Sequence, residues 1–199
     1  MSTPSHPEPT TAPASLRPVV GLVGNPAPGS RTAAVTELVL SALRYDDAGA
    51  RPDPEAIVEL ADQRRDVFGE DAGLASTRQR VADAGVLVVA TPSYKGSFTG
   101  LLKLFLDGLP AGALAGTVVV PVVVAGSPVH ATTTDAHLRW VLGELGASLP
   151  VPSVVLTERQ LDGTREVVDM WRAAHRPSVL AVVEALGASR EPAGAGVSP

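Results

Sequence analysis

Three stretches of the chain concentrate residues that can hold a phosphate or border a flat ring. The first, Gly24-Asn25-Pro26-Ala27-Pro28-Gly29-Ser30-Arg31-Thr32, runs straight into a segment of helical periodicity. A helix start offers backbone N–H groups with no partner inside the helix, together with the positive end of its dipole, so it favours an anion. The Ser30 and Thr32 hydroxyls and the Arg31 guanidinium could complete a phosphate cradle there. A plainer role is equally open, in which Ser30 caps the helix while Pro26 and Pro28 stiffen a connection. Two stronger nucleotide signatures are excluded. No Lys follows Gly29 to make a P-loop, and the glycines at 21, 24 and 29 lack G-x-G-x-x-G spacing. A mononucleotide phosphate is what these residues leave.

The second stretch is Thr91-Pro92-Ser93-Tyr94-Lys95-Gly96-Ser97-Phe98-Thr99-Gly100. Gly96 and Gly100 allow close backbone approach, and Tyr94 offers an aromatic rim with a polar tip. A strand-to-helix turn capped by Thr99 accounts for Thr99 and Gly100, but not for the run from Pro92 to Ser97. The third stretch, Ala125-Gly126-Ser127-Pro128-Val129-His130, sets a small residue and a hydroxyl where they would flank the same ring.

The elements that must position these stretches alternate between short β-branched runs and helical periodicity, the pattern of a parallel sheet covered by helices on both faces. Strands are expected at Val19 to Val23, Glu55 to Leu60, Val86 to Ala90, Thr117 to Ala125 and Ser153 to Leu156. Helices are expected at Arg31 to Leu43, Leu74 to Ala84, Leu101 to Leu109, Ala136 to Leu145 and Glu166 to Leu186, the last broken at Pro177. Pro121 lacks a ladder donor, which predicts a bulge or a locally unpaired position in the fourth strand. In such sheets ligands bind outside the carboxyl ends of the strands, and the three stretches follow strands one, three and four. Residues 1–17 and 188–199 are rich in Pro, Gly and Ser and read as disordered tails around a single domain at 18–187.

Composition narrows the partners. Hydrophobic residues make up 45% of the chain and charged residues 19%, enough apolar side chain for a buried core. The net charge is −5 with Lys and Arg scattered, which offers nucleic acid no basic face. Cysteine is absent and the histidines at 6, 130, 137 and 175 form no ligand cluster, so no metal is expected. The amino-terminal residues lack the charged and apolar regions of a secretory signal, and the longest apolar stretch, Val118 to Ala125, is too short to span a bilayer. A cytoplasmic protein without membrane contact is expected.

The stretch TPSYKGSFTGLLKLFLDGLP resembles the second flavin loop and following helix of the NAD(P)H-dependent FMN reductases, which include the reductase partners of two-component flavin monooxygenases. GNPAPGSRT is similar to that family's phosphate loop, with Asn25 where the family commonly has Ser, and AGSPVHATTTDAHLRWVLGELGA is similar to its third loop and next helix. The resemblance runs from about Val19 to Leu156. It implies a flavodoxin-like, doubly wound, five-stranded parallel sheet of order 2-1-3-4-5, with FMN and NADPH or NADH as cofactors. It also implies Asn25, Ser30, Arg31 and Thr32 at the FMN phosphate, and Pro92, Ser93, Tyr94, Lys95 and Gly96 around the ring and ribityl chain. Gly126 and Ser127 fall at the ring edge, and no residue is implied as acid or base. Lys95 is open between a cofactor contact and a solvated surface lysine. Asp135 and His137 read as ordinary helix polarity, and Leu138 and Trp140 as core or interface. A homodimer or homotetramer and a flavin-dependent monooxygenase partner are implied in the same way. Two other functions share these loops: a reductase of quinones, azo compounds or metal oxyanions with fixed FMN, and a non-catalytic flavodoxin-type carrier.

Overall fold

A strand covered by helices on both faces has no polar side, so its sequence is a continuous apolar run. The computed structural model, which describes residues 18–43, 56–63 and 72–188, puts such runs in β1 (Val19–Val23), β3 (Val86–Pro92) and β4 (Val118–Ala125). Every residue of β3 and β4 is buried. The edge strands β2 (Ile57–Glu59) and β5 (Val154–Thr157) are shorter and half-buried. All pairings are parallel, in the order β2-β1-β3-β4-β5, the flavodoxin-like arrangement.

Helices α1 (Arg31–Leu43) and α5 (Thr164–Ala188) cover one face, where Val39, Leu43, Trp171 and Val183 pack on Val86, Val88, Val120 and Val122. Helices α2 (Ala72–Ala82), α3 (Gly100–Asp107) and α4 (Pro128–Glu144) cover the other, where Leu74, Phe105 and Leu138 meet Leu22, Leu87, Val89 and Val119. The alternation of side chains along each strand divides the core between the faces. A 3-10 turn, Glu158–Gly163, links β5 to α5.

Two expectations are corrected, and a third is met in part, since Pro121 makes no bulge but is left unpaired on its β5 side. Pro121 causes no bulge: β4 pairs residue for residue with β3, Pro121 opposite Val89. Val118 donates to Gly85 and Val119 to Ser148, so alternate amides point to opposite neighbours and the missing donor of Pro121 faces the β5 side. Pairing with β5 begins only at Val122, one residue later. Helix α5 runs on through Pro177, because the buried Trp171 on one side of it and Val179 and Val183 on the other hold both halves against the sheet. Helix α4 begins eight residues earlier than its periodicity suggested. Ser127, extended at φ −147°, caps it by accepting from the amide of His130, and Pro128 takes the first position. The expected tails fall outside the described residues, apart from Ala188 at the end of α5. Residues 64–71, for which the sequence between the second strand and the second helix predicts irregular backbone, and Glu55, expected at the start of the second strand, also lie outside them.

The carboxyl ends of β1 and β3 meet at a close backbone approach. Gly24 donates to the carbonyl of Ala90 at 2.7 Å, and a Cβ on Gly24 would stand 2.6 Å from the Cβ of Leu102 in α3. Thr99 completes the joint: its buried hydroxyl donates to the Gly24 carbonyl at 2.5 Å and accepts from the Leu102 amide at 3.1 Å. Gly24→Ala should therefore overpack the joint and cost about 1–3 kcal/mol, read as a lower urea midpoint at unchanged slope.

Candidate functional site

The loop after β1 is braced from within. Asn25, 8% exposed, donates from Nδ2 to Thr32 Oγ1 at 3.2 Å and accepts at Oδ1 from the Ala27 amide at 2.9 Å, so its side chain is spent on the loop. Thr32 is buried as well. Ser30 caps α1, its hydroxyl accepting from the Ala33 amide at 3.2 Å. The amides of Arg31 and Thr32, in the first turn of α1, have no acceptor among the described residues. Two carboxylates lie at the same end. Glu59, closing β2, accepts from the Gly29 amide at 3.0 Å, and Glu158, opening the 3-10 turn, pairs with Arg31 at 3.0 Å.

The loop after β3 is a two-residue hairpin. Tyr94 and Ser97 exchange backbone hydrogen bonds of 2.8 and 3.2 Å across Lys95 and Gly96, whose φ values are 56° and 79°. Left-handed backbone at both central residues suits Asn-Gly; lysine at the first is strained. The hairpin leans on α4. Ser93 Oγ lies 2.7 Å from Thr134 Oγ1, Thr133 donates to the Gly96 carbonyl at 3.0 Å, and Ser97 Oγ stands 3.5 Å from His137 Nδ1. The Ser93 amide donates to the Val124 carbonyl at 2.8 Å, which ties the second loop to β4. Tyr94 is 51% exposed, and Lys95 is exposed at the tip without a hydrogen-bond partner among the described residues.

The loop after β4 is only Gly126 and Ser127, since Val129 and His130 belong to α4. Gly126 is exposed, its φ is not left-handed, and a Cβ on it would meet nothing within 4 Å. The fold gives no reason for glycine there.

All three loops thus lie at the carboxyl edge of adjacent strands, joined through Thr99 and Val124. Of the residues singled out from the sequence, Asn25 and Thr32 turn their side chains inward, and Ser93 and Ser127 are committed to α4. Arg31, Tyr94, Lys95 and Gly126 stand exposed, with Gly96 partly so. Sequence reasoning missed Glu59, Glu158 and Thr134. Their partners lie 30, 127 and 41 residues away, and no local spacing announces them. No group of three or more acidic or histidine side chains placed to hold a metal ion occurs among the described residues, and none of their helices is long and apolar enough to cross a membrane.

Comparison with known proteins places this geometry in a family. Residues 18–162 match the model of the NADPH-dependent FMN reductases, and the chain belongs to that family. It is 40% identical over 91 residues to an FMN reductase (NADPH) of Pseudomonas putida, a match covering 44% of this chain and 46% of the relative. With the NADH-dependent FMN reductase SfnE of Pseudomonas putida it shares 34% identity over 137 residues, 67% of this chain and 73% of the relative. The matched part spans about half the length of the two FMN reductases (NADPH) of Pseudomonas putida and Escherichia coli. Among solved structures, the apo form of an NADH:FMN oxidoreductase (EMOB) superposes with a TM-score of 0.62 at 29% identity, covering 82% of this chain and 93% of that one.

The residues present fit the phosphate and ring of FMN. Free amides at the start of α1 suit the phosphate, and the open space above Gly126 suits a flat ring. Strain at the hairpin tip yields a test of what Lys95 is for. Lys95→Asn should raise stability by about 0.5–1 kcal/mol in denaturant unfolding, because Asn tolerates the left-handed region better. An unchanged midpoint would mean that the turn carries no strain.

Proposed function

We propose that this chain is an NAD(P)H-dependent FMN reductase whose flavin lies along the carboxyl edge of β1, β3 and β4. The phosphate rests on the amides of Arg31 and Thr32, with the Ser30 hydroxyl and the Arg31 guanidinium at its oxygens, while Asn25 fixes the shape of the loop from inside. The ring lies over Pro92 to Gly96, edge-on to Gly126 and Ser127. FMN, when bound, would supply the hydride-accepting chemistry at its N5, with NADH or NADPH as the donor, and no residue of the chain is assigned as acid or base. What its residues contribute is the stacking of two flat rings, amide donors toward the ring, and exclusion of water. Lys95, free at the hairpin tip, is placed to meet a charge on either ligand.

The observation that carries this reading is the opening at Gly126. A glycine with ordinary φ and no neighbour within 4 Å of a would-be Cβ leaves room that the fold does not use, at the point where the ring edge falls. Family membership supplies the chemistry. The same reading makes reduced FMN the product handed to a flavin-dependent monooxygenase. It also makes the working form a homodimer or homotetramer, which the exposed Val129 and Trp140 support: eleven residues apart, they fall on one stripe of α4.

The test is steady-state oxidation of NADH and NADPH with added FMN varied. Oxidation should saturate in free FMN, whereas tightly held flavin passing electrons to quinones, azo compounds or metal oxyanions would indicate the fixed-cofactor enzyme. No oxidation would indicate a carrier. Gly126→Val should fold with an unchanged thermal midpoint while losing at least about tenfold in FMN affinity, a steric loss of about 1.4 kcal/mol. Normal FMN affinity in that variant would move the ring elsewhere.

A further inference from the structure

Two carboxylates sit at the end of the crevice where the phosphate is proposed to bind. Arg31, the only guanidinium in the first loop, is already paired with Glu158 at 3.0 Å, with 66% and 54% of the two side chains exposed. The Gly29 amide, another donor of the same loop, is already given to Glu59 at 3.0 Å. Both acids come from outside the loop, one closing β2 and one following β5. Glu158 is also held in place. Its neighbour Thr157 donates from both its amide and its hydroxyl to Gln160 Oε1, at 2.9 and 2.7 Å, and this capping box fixes the backbone from which Glu158 reaches Arg31.

The Arg31–Glu158 pairing contributes little to holding the fold together. The ion pair is exposed on both sides, the setting in which such pairs add little stability. An anion arriving at the start of α1 nevertheless meets a cation whose charge is already answered and a negative group beside it. From this arrangement we infer that Glu158 sets the affinity for the flavin phosphate, by competing for Arg31 and repelling the phosphate, and so keeps FMN exchangeable. Glu59 acts in the same sense from the other side, by withdrawing the Gly29 amide. A carboxylate and a phosphate sharing one guanidinium lie on the order of 5 Å apart, close enough in a solvated site to shift binding by about three- to tenfold. The inference rests on the FMN reading above and adds to it which residue makes the flavin a passing substrate.

The experiment titrates the full chain and Glu158→Gln with FMN and with riboflavin, which lacks the phosphate, following quenching of flavin fluorescence. FMN should bind the variant about three- to tenfold more tightly, riboflavin should bind both equally, and the FMN difference should shrink as ionic strength rises. Glu59→Ala, which frees the Gly29 amide, provides a second, independent variant with a gain in the same direction, and circular dichroism with a thermal midpoint confirms that each variant folds. Unchanged or weaker FMN binding in Glu158→Gln, with the original chain still binding FMN, would overturn the inference alone. An equal gain for riboflavin would overturn it too, by showing that the effect does not act through the phosphate. Binding of neither flavin by the original chain would overturn the FMN reading and this inference together.

Discussion

The close approach of Gly24 to α3 is the constraint on which the crevice depends. Only a residue without a side chain lets the end of β1 lie against Leu102, and only there can the Thr99 hydroxyl bond the Gly24 carbonyl while capping α3. Thr99 is buried, so neither bond has water as a substitute. Its amide donates to Thr91 Oγ1 at 3.2 Å, which locks the second loop back onto its own strand. The first loop is thereby fixed to the second, and the second reaches β4 through the Ser93 amide. The relative position of the proposed phosphate end and ring end follows from this chain of bonds, in which Gly24, Thr91, Thr99 and Leu102 are assigned no ligand contact.

The two ends of the crevice are built differently. At the ring end the loops are short and supported by α4, whose run Thr132-Thr133-Thr134 is unusual in a helix because β-branched hydroxyl residues are weak helix formers. Two of those threonines account for the cost: Thr134 meets Ser93, and Thr133 meets the Gly96 carbonyl. The second loop is thereby tied to α4 at two points. At the end proposed for the phosphate, the first loop offers backbone amides and the Arg31 cation, with Glu59 and Glu158 close by, so the groups there are charged and polar rather than packed. Binding strength and ring geometry can thus be set by separate residues.

Much of this was legible in the sequence, for identifiable reasons. The central strands are unbroken valine-rich runs, the loops between them are punctuated by Pro and Gly, and both signals are local. For Pro121 the choice between a bulge and an unpaired position depends on which neighbour its absent amide faces, and that requires the strand order and the point where β5 begins. Pro177 misled because burial of the apolar face of α5 outweighs the lost hydrogen bond. At the start of α4 the local signal is double: Ser127 followed by Pro128 is both a turn-forming pair and a cap with a first helical residue, and the folded chain uses it as the latter. Glu59 and Glu158 were out of reach for another reason. An acid in a strand end or a short turn is ordinary, and only the folded sheet brings each to a donor of the first loop.

The central claim is that one ligand occupies all three loops at once, phosphate on α1 and ring on the second and third loops. Amide hydrogen exchange of the full chain, followed by mass spectrometry with and without FMN, tests it most directly. The account predicts slowed exchange in three separate segments, residues 30–33, 93–97 and 126–130, with the buried strands unchanged. Protection confined to one loop, or appearing on α2 or the far end of the sheet, would contradict it.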